Sequence, residues 1–283
     1  MNDCLVATMP KSGTWYTKYF FHYYNDYING ANSDGNLNDK EKGIVRFYSK
    51  NLSIDKFLVA HTVNPLRKEN LNKNSRWKEL EFYVHGFDWA SNIIFKEEGF
   101  EDSLNSASLK IVYLYRNPLD QAVSFFRHIK NHKDESHTYY YNQDDEKVVF
   151  KDTQDYFLHV GMDAYIKQFI SYSDYPGDAL MISYEQLTTD PEKSFRKIVE
   201  YFCGQVHELA FQYALSKSSI GEMKSLEESL GRSLGNDQTD QHERHVRDGA
   251  IGKWKSHYSE EALKLIKARF AEYGISLESF DGI

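Results

Sequence analysis

Cysteine is scarce in this sequence, with Cys4 and Cys203 the only two among 283 residues. Two thiols give no disulfide framework, so we expect a reducing, cytoplasmic setting. Basic residues are also few relative to acidic ones: there are 34 of them against 42, which gives a formal net charge of −8. This balance argues against a protein that coats nucleic acid, and it means that an anionic ligand needs locally gathered positive charge.

Long hydrophobic runs are missing as well. No apolar stretch approaches the roughly 20 residues that cross a bilayer, so we expect no membrane insertion. The chain enters an apolar run at Leu5, which leaves no room for a charged secretory leader. Linkers rich in Pro, Gly or Ser and internal repeats are also missing. We therefore expect residues 1–283 to form a single domain.

Short apolar runs, by contrast, recur along the chain. Several are continuous rather than alternating, as in strands that a sheet buries on both faces. They are Leu5–Thr8, Phe57–Ala60, Phe82–Val84, Ile111–Tyr115 and Ala179–Ser183. Helical patterns lie between them, the clearest beginning after Asp190-Pro191 and the last beginning at Ser259. Alternating strands and helices predict an α/β fold with a mostly parallel, doubly wound sheet flanked by helices.

Two long polar stretches interrupt this pattern. Asn131–Asp155 is acidic and contains consecutive tyrosines from Tyr139, and Ser225–Arg247 is rich in Gly, Ser, Asp and Asn. Loops of this length in a compact domain either act as lids or are disordered. The sequence leaves both interpretations open.

The segment Pro10-Lys11-Ser12-Gly13-Thr14 directly follows the first apolar run and leads into an aromatic helical stretch. Ligands of parallel sheets bind beyond the carboxyl ends of the strands, and free N–H groups at a helix N-terminus attract anions. Lys11 adds a mobile charge, and Ser12 and Thr14 add hydroxyl groups. The alternative is a turn with a helix cap, but this order of residues favours an anion site.

The nucleoside-triphosphate P-loop does not fit this segment. That motif places its lysine after the second glycine, whereas Lys11 precedes Gly13 and the first glycine is missing. A triphosphate enzyme also needs carboxylates for Mg²⁺, and the neighbouring strand ends instead in Arg116-Asn117. The loop is therefore expected to bind an anionic group without metal support.

A second polar turn follows the run at Ile111–Tyr115. Arg116 leaves this strand, Pro118 starts a helix, and Ser124 lies about two turns along it. Arg116 and Ser124 are thus placed to bind one phosphate, a role that suits the directed donors of arginine. The alternative is a surface pair between Arg116 and Asp120 beside an ordinary helical serine.

Two anion sites at two strand ends suit a nucleotide with phosphates at both ends of its ribose. Four motifs resemble those of the sulfotransferases that use 3′-phosphoadenosine 5′-phosphosulfate (PAPS), in the family's order and over most of the chain. They are Thr8–Thr14 for the 5′-phosphosulfate loop, Tyr115–Asp120 with Val123-Ser124 for the 3′-phosphate motif, Ser183–Leu187 with Asp190-Pro191 for the next strand–helix segment, and Arg247–Lys255 for the C-terminal signature. The resemblance implies the P-loop-like sulfotransferase fold.

The resemblance also implies a role for each matching residue. The 5′-phosphosulfate binds to Lys11, Ser12, Gly13 and Thr14. The 3′-phosphate binds to Arg116, Ser124 and Arg247, helped by backbone N–H groups of Asp248 and Gly249. Tyr184 contacts the adenine, and the ring that stacks on the base is Tyr16 by position, with Trp15 as the alternative. PAPS is then the donor, 3′-phosphoadenosine 5′-phosphate (PAP) the product, and no metal is required.

The sequence departs from the family at two places. Asp248 and Lys253 stand where the C-terminal signature has Lys and Asp, and an acid beside Arg247 weakens phosphate binding. Ser259-Glu260 and Lys264 replace residues of the family's dimer motif, so the oligomeric state is left open.

Sulfuryl transfer to a hydroxyl calls for a base, and histidine is the usual one near neutral pH. Two histidines end strand-like runs before Arg116, namely His61 and His85. The Asn64-Pro65-Leu66 segment after His61 resembles the segment after the family's base, whereas His85 has the better spacing to Arg116. We favour His61 and keep His85 as the alternative, with Lys11 neutralising charge on the leaving nucleotide.

The acceptor is expected to be a small molecule. The 21 tyrosines and 18 phenylalanines, with the acidic stretch, favour an aromatic or cationic acceptor over a polyanionic glycan. Sulfation of a hydroxyl, or of a nitrogen, by a natural-product tailoring enzyme is the expectation. Two alternatives are a P-loop nucleotide kinase, which the missing metal carboxylates disfavour, and a non-catalytic nucleotide-binding module, which Lys11 and the candidate bases disfavour.

Overall fold

The computed structural model describes residues 2–30, 54–61, 110–131, 139–141, 146–174, 179–230 and 249–280. The strands are β1 (Asn2–Thr8), β2 (Ile54–His61), β3 (Lys110–Tyr115), β4 (Tyr139–Tyr141), β5 (Lys147–Val149) and β6 (Ala179–Ser183). The α-helices are α1 (Thr14–Asn29), α2 (Pro118–Asn131), α3 (Thr153–Tyr156), α4 (Met162–Ser173), α5 (Tyr184–Thr189), α6 (Pro191–Cys203), α7 (Glu208–Lys217), α8 (Ile220–Leu230) and α9 (Glu260–Glu272). A π-helical turn covers Phe157–Gly161, and 3₁₀ turns cover Lys253–Ser256 and Leu277–Phe280.

The central sheet is parallel, as predicted. Its described strands run in the order β2-β1-β3-β6, and every pair between neighbours is parallel. Their registers align Thr8 with His61 and with Leu114, and Tyr115 with Ser183. The carboxyl ends of all four strands therefore meet at one edge, where the segments after β1, β3 and β6 begin.

Both faces of the sheet are covered by helices. Leu5 and Ala7 of β1 point into a core with α2, α4 and α9, whereas Cys4 and Val6 point into a core with α1, α6 and α7. Alternate residues of one buried strand thus feed two cores, which explains why the apolar runs are continuous. The doubly wound α/β architecture expected from the sequence is confirmed.

Helix ends follow their capping residues. The Asp190 side chain accepts from Lys193 N–H at the start of α6, and Pro191 occupies the first turn. The Ser259 side chain accepts from Ala262 N–H at the start of α9, which ends at Glu272 just before Gly274. Both predicted helices are confirmed.

The described parts of the two polar stretches contain regular secondary structure. Inside the first, β4 and β5 pair as an antiparallel hairpin, and the Lys147 ammonium lies 4.0 Å from the centre of the Tyr139 ring. In the second, residues 225–230 continue helix α8. A disordered loop is therefore wrong for these parts, while a role as lids stays a prediction. The rest of Ser225–Arg247 and the predicted strand Phe82–Val84 lie outside the described residues.

Candidate functional site

The segment between β1 and α1 forms a tight turn at the edge where the strands end. Met9 N–H donates to Leu114 O at 2.8 Å, which extends the sheet by one residue, and Ser12 N–H donates to Met9 O at 3.1 Å. Lys11 has a φ of 68°, an uncommon value for a residue with a side chain. Gly13 caps α1 with a φ of 93° and, as a glycine, brings no side chain to the first N–H groups of the helix.

Buried hydrogen bonds fix this turn to its surroundings. The Thr14 hydroxyl donates to the Thr8 hydroxyl at 2.9 Å. The Gln121 side-chain amide, on α2, donates to Pro10 O at 3.1 Å. The loop is therefore held between β1 and α2 before any ligand arrives, as an anion site needs.

Ser12 carries an unused donor at the centre of the turn. Its side chain is fully buried, and its hydroxyl has no hydrogen-bond partner among the described residues. A buried hydroxyl without a partner is costly, and an anion in the turn would satisfy it. This observation fits the predicted role of Ser12.

Arg116 spans two segments at the end of β3. Its guanidinium donates to Lys11 O at 3.3 Å and to Ala250 O at 3.0 Å, and its carbonyl accepts from the Tyr165 hydroxyl at 2.6 Å. The guanidinium Nε is buried and has no hydrogen-bond partner in the described part of the chain. A directed cation with a free donor thus stands beside the anion loop.

The alternative of a surface pair between Arg116 and Asp120 is wrong. Both side chains are buried, and the Asp120 carboxylate accepts instead from Gly252 N–H at 2.6 Å and Trp254 N–H at 3.0 Å. These bonds tie the segment after residue 249 to the first turn of α2. The C-terminal segment is thereby held against Arg116, whose guanidinium also binds Ala250.

The Tyr184 ring connects all of these parts. It lies under the Arg116 guanidinium, 4.4 Å from ring centre to guanidinium carbon. A Cβ placed on Gly13 would come within 3.2 Å of the ring, and one placed on Gly249 within 3.6 Å of its hydroxyl. Tyr184 begins α5, which Ser183 caps through a reciprocal capping box with Gln186.

The two candidate stacking rings lie in different surroundings. Tyr16 is buried with its ring edge-on to Phe195 at 5.0 Å, and burial, with a contribution from Tyr184, raises its pKa to about 12. Trp15 is partly buried and holds the Lys18 ammonium 4.6 Å from its ring centre. Tyr16 therefore packs into the core beside Phe195, whereas Trp15 is the more exposed of the two rings.

A buried carboxylate supports the site from behind. One oxygen of Glu185 accepts from Asn117 N–H at 3.0 Å, and the other is buried with no hydrogen-bond partner in the ranges that the structure describes. Burial raises the pKa of Glu185, an effect that the nearby Arg116 opposes. Glu185 therefore shapes the turn that carries Arg116.

Of the remaining predicted site residues, some lie in the described part of the chain and others lie outside it. Ser124 lies on α2 and is buried, and Gly249 has a φ of 66° beside Ile220. The backbone of His61 pairs with Thr8 at the end of β2. His85, Arg247 and Asp248 lie outside the described residues.

The sequence reasoning missed several supporting residues, namely Gln121, Tyr165, Glu185, Ile220 and Lys18. Only Glu185 sat inside a recognised motif. The others are distant in sequence from the groups they hold, or lie on faces that look like ordinary helix interior. Composition and spacing carry no signal for them.

The described residues contain neither a metal cluster nor a membrane-spanning helix. No group of three or more His, Cys, Asp or Glu side chains there is arranged to hold a metal ion. None of the described helices is both long and apolar enough to cross a bilayer.

Comparisons with known proteins agree with this geometry. The sulfotransferase domain family model matches residues 1–273. Cytosolic sulfotransferase 12 of Arabidopsis thaliana is 24% identical over 98% of this chain and 80% of its own length. Cytosolic sulfotransferase 14 of the same plant is 23% identical over 71% of this chain and 53% of its own length.

Solved structures share the fold. Mouse sulfotransferase SULT7A1 complexed with PAP aligns with a TM-score of 0.54 and 19% identity, covering 96% of this chain and 83% of that one. Retinol dehydratase complexed with retinol and PAP aligns with a TM-score of 0.55 and 18% identity, covering 96% and 80%. At these identities the likeness concerns the architecture.

Proposed function

The chain belongs to the sulfotransferase domain family, and on that premise we propose that it transfers the sulfuryl group of PAPS to a hydroxyl of a small-molecule acceptor. The enzyme class expected from the sequence, a sulfotransferase, is confirmed by the family match and replaces the kinase and the non-catalytic module. The observation that carries the proposal is the closure of the Pro10–Thr14 turn, Arg116 and Tyr184 around one edge of the sheet.

The proposed donor site has two anion positions. Lys11, Ser12, Gly13 and Thr14 would hold the 5′-phosphosulfate, which is supported by the partnerless Ser12 hydroxyl and the uncapped start of α1. Arg116 and Ser124, with Arg247 and the N–H groups of Asp248 and Gly249, would hold the 3′-phosphate. The free Arg116 Nε supports this assignment. PAP bound in two neighbouring folds is consistent with PAPS as donor and PAP as product.

The adenine would lie between these positions, against Tyr184. We favour Tyr16 over Trp15 as the second aromatic contact, because Tyr16 holds the position of the family's stacking ring. Stacking on such rings would fix the nucleotide and direct its sulfuryl group towards the mouth of the turn.

Charge neutralisation in this site would come from the chain itself. As the bond between sulfur and the bridging oxygen breaks, negative charge develops on the departing PAP. Lys11 and the N–H groups of the turn would stabilise that charge, and the bonds from Thr14 and Gln121 already fix the turn's backbone.

His61 is the proposed base that takes the acceptor proton, with His85 as the alternative. In favour of His61, its backbone lies beside Thr8, the last residue before the anion turn. The acceptor hydroxyl would then approach from the β2 side of the loop.

The acceptor class and setting stay proposals. Retinol dehydratase is known in complexes with retinol and with androsterone, both small molecules, which supports a small-molecule acceptor here. We propose an aromatic or cationic acceptor, an O-sulfated or N-sulfated product, and a role in natural-product tailoring. A cytoplasmic location is supported by the plant relatives, which are cytosolic sulfotransferases. A single domain over 1–283 is supported by one family match that spans 1–273.

Acceptor-dependent release of PAP tests the proposal. The protein is incubated with PAPS carrying a labelled sulfuryl group and a panel of phenols, alcohols and amines. We expect label in an acceptor together with PAP, and loss of both in Lys11→Ala. ATP-dependent phosphorylation of the same panel, without sulfuryl transfer, would overturn it.

A further inference from the structure

Lys18 is a buried lysine to which the proposed mechanism assigns no role. It lies on α1 with 4% of its side chain exposed. Its ammonium is 4.6 Å from the centre of the Trp15 ring. In the described parts of the chain, the Trp15 ring is the one partner of the Lys18 ammonium, and no acidic side chain pairs with it.

An aromatic face compensates a buried ammonium only in part. Burying a charge without an anion or hydrogen-bond acceptor is expensive, and an indole ring supplies a fraction of the lost hydration. Burial accordingly lowers the pKa of Lys18 to about 8. The protonated Lys18 ammonium would therefore attract an anion strongly.

The ammonium lies towards the ligand end of the fold. Lys18 comes one helical turn after Thr14, the first residue of α1. Long side chains on a helix lean towards its N-terminus, and the position over Trp15 places the Lys18 ammonium beside the first turn. The anion turn at Pro10–Thr14 immediately precedes that turn of the helix.

We propose that Lys18 is an anion-binding residue, which pairs with a negatively charged oxygen of a bound substrate at the head of α1. This inference rests on the proposed function. The oxygen comes either from the 5′ end of the donor nucleotide or from a carboxylate on the acceptor. The Lys18 ammonium would repel a cationic group of an acceptor. The proposal therefore excludes acceptors whose positive charge would lie beside Trp15.

Lys18→Met and Lys18→Arg are the test variants. Methionine matches the length and apolar stem of lysine without its charge, and arginine keeps the charge. Calorimetry measures the affinity of each protein for PAP and for PAPS. With PAP saturating, it also measures binding of 4-ethylphenol and of 3-(4-hydroxyphenyl)propanoate, a neutral and a carboxylate-bearing phenol.

We expect Lys18→Met to lose about tenfold or more in affinity for one anionic probe, while Lys18→Arg stays within a few-fold of wild type. A loss for PAP or PAPS assigns the anion to the donor. A loss for the propanoate alone, with 4-ethylphenol unchanged, assigns it to the acceptor.

Thermal unfolding without ligand separates this role from a structural one. Because a buried, unpaired charge destabilises the free protein, we expect Lys18→Met to unfold at a temperature equal to or a few degrees above wild type. If Lys18 served only to pack against Trp15, the Lys18→Met variant would instead unfold at a lower temperature than wild type.

Equal affinity of wild type and Lys18→Met for all four probes, including failure of the propanoate to bind either protein, would overturn the proposal. So would a destabilised Lys18→Met whose binding defects are shared by Lys18→Arg. Failure of wild type to bind PAP counts against the proposed function, because it removes the donor. If wild type binds PAP and Lys18→Met changes the affinity for neither the nucleotides nor the phenols, only the role of Lys18 is overturned.

Discussion

The Arg116 guanidinium carbon lies 4.4 Å from the centre of the Tyr184 ring. The ring thus holds the cation that we assign to the 3′-phosphate, and it also contacts the turn assigned to the 5′-phosphosulfate through Gly13. One side chain therefore connects both anion positions. We expect a change at either position to alter the affinity for the whole nucleotide.

Tyr184→Leu should weaken PAP binding by about tenfold to a hundredfold, since it removes both the cation–π contact with Arg116 and the proposed adenine contact. Tyr184→Phe is the matched control, because it keeps the ring and drops only the hydroxyl. Calorimetric titration with PAP measures both. Equal losses in the two variants would show that the hydroxyl, rather than the ring, carries the effect.

Gly13→Ala should destabilise the protein and abolish tight PAP binding. Its φ of 93° is strained for alanine, and the new Cβ would lie 3.2 Å from the Tyr184 ring. Gly30→Ala is a matched control with a φ of 66° and nothing within 4 Å of the added carbon. Both variants should lose about 1 kcal/mol in the free energy of unfolding, measured in urea, from backbone strain.

The comparison between the two glycines separates strain from contact. Only Gly13→Ala should lose further stability and affinity, since only its Cβ meets Tyr184. Intact PAP binding by Gly13→Ala would show that the turn does not need this conformation.

Asp120→Ala should cost about 2 to 4 kcal/mol of unfolding free energy, because it leaves the N–H groups of Gly252 and Trp254 without their acceptor. PAP affinity should fall as well, since these bonds hold the segment that contacts Arg116. Asp120→Asn keeps one acceptor oxygen and should lose about half as much. Full PAP affinity in a folded Asp120→Ala would separate this segment from the nucleotide site.

The stability of the free protein should depend on the charge of Lys18 between about pH 8 and pH 10.5. In this window the unfolded chain binds more protons at Lys18 than the folded chain, so its contribution to the free energy of unfolding rises with pH. The full shift corresponds to on the order of 3 kcal/mol. The group that faces the ammonium in the described structure is the Trp15 ring, which does not titrate.

Urea unfolding of wild type and Lys18→Met across this range measures the effect. The stability advantage of Lys18→Met should shrink as the pH rises, while the other titrating groups cancel in the difference. A difference that is constant with pH would mean that the Lys18 pKa is not lowered.

Much of the fold could be predicted from the sequence because burial on both faces leaves a continuous apolar signature. The runs that became β1, β2, β3 and β6 have this form, and the helices after Asp190 and Ser259 carry strong capping signals. The hairpin of β4 and β5 was missed, because each strand spans only three residues and lies in an acidic context.

The site could be predicted only where chemistry is concentrated in short motifs. Lys11, Ser12 and Arg116 stand out as donors beside a strand end. The acceptors and donors that hold them, such as Gln121 and Tyr165, come from elements far away in the chain. Their roles follow from the packing of α2 and α4 on the sheet, which no local pattern encodes.

Titration calorimetry with PAP, on wild type and Arg116→Ala, tests the central claim most directly. Adenosine 5′-phosphate and ATP with Mg²⁺ serve as control ligands, and thermal unfolding checks that the variant is folded. We predict selective binding of PAP by wild type and a loss of about tenfold or more in Arg116→Ala, because the charge-assisted contact to the 3′-phosphate is gone. Preference for ATP with Mg²⁺, or equal PAP affinity in wild type and a folded Arg116→Ala, would contradict the account.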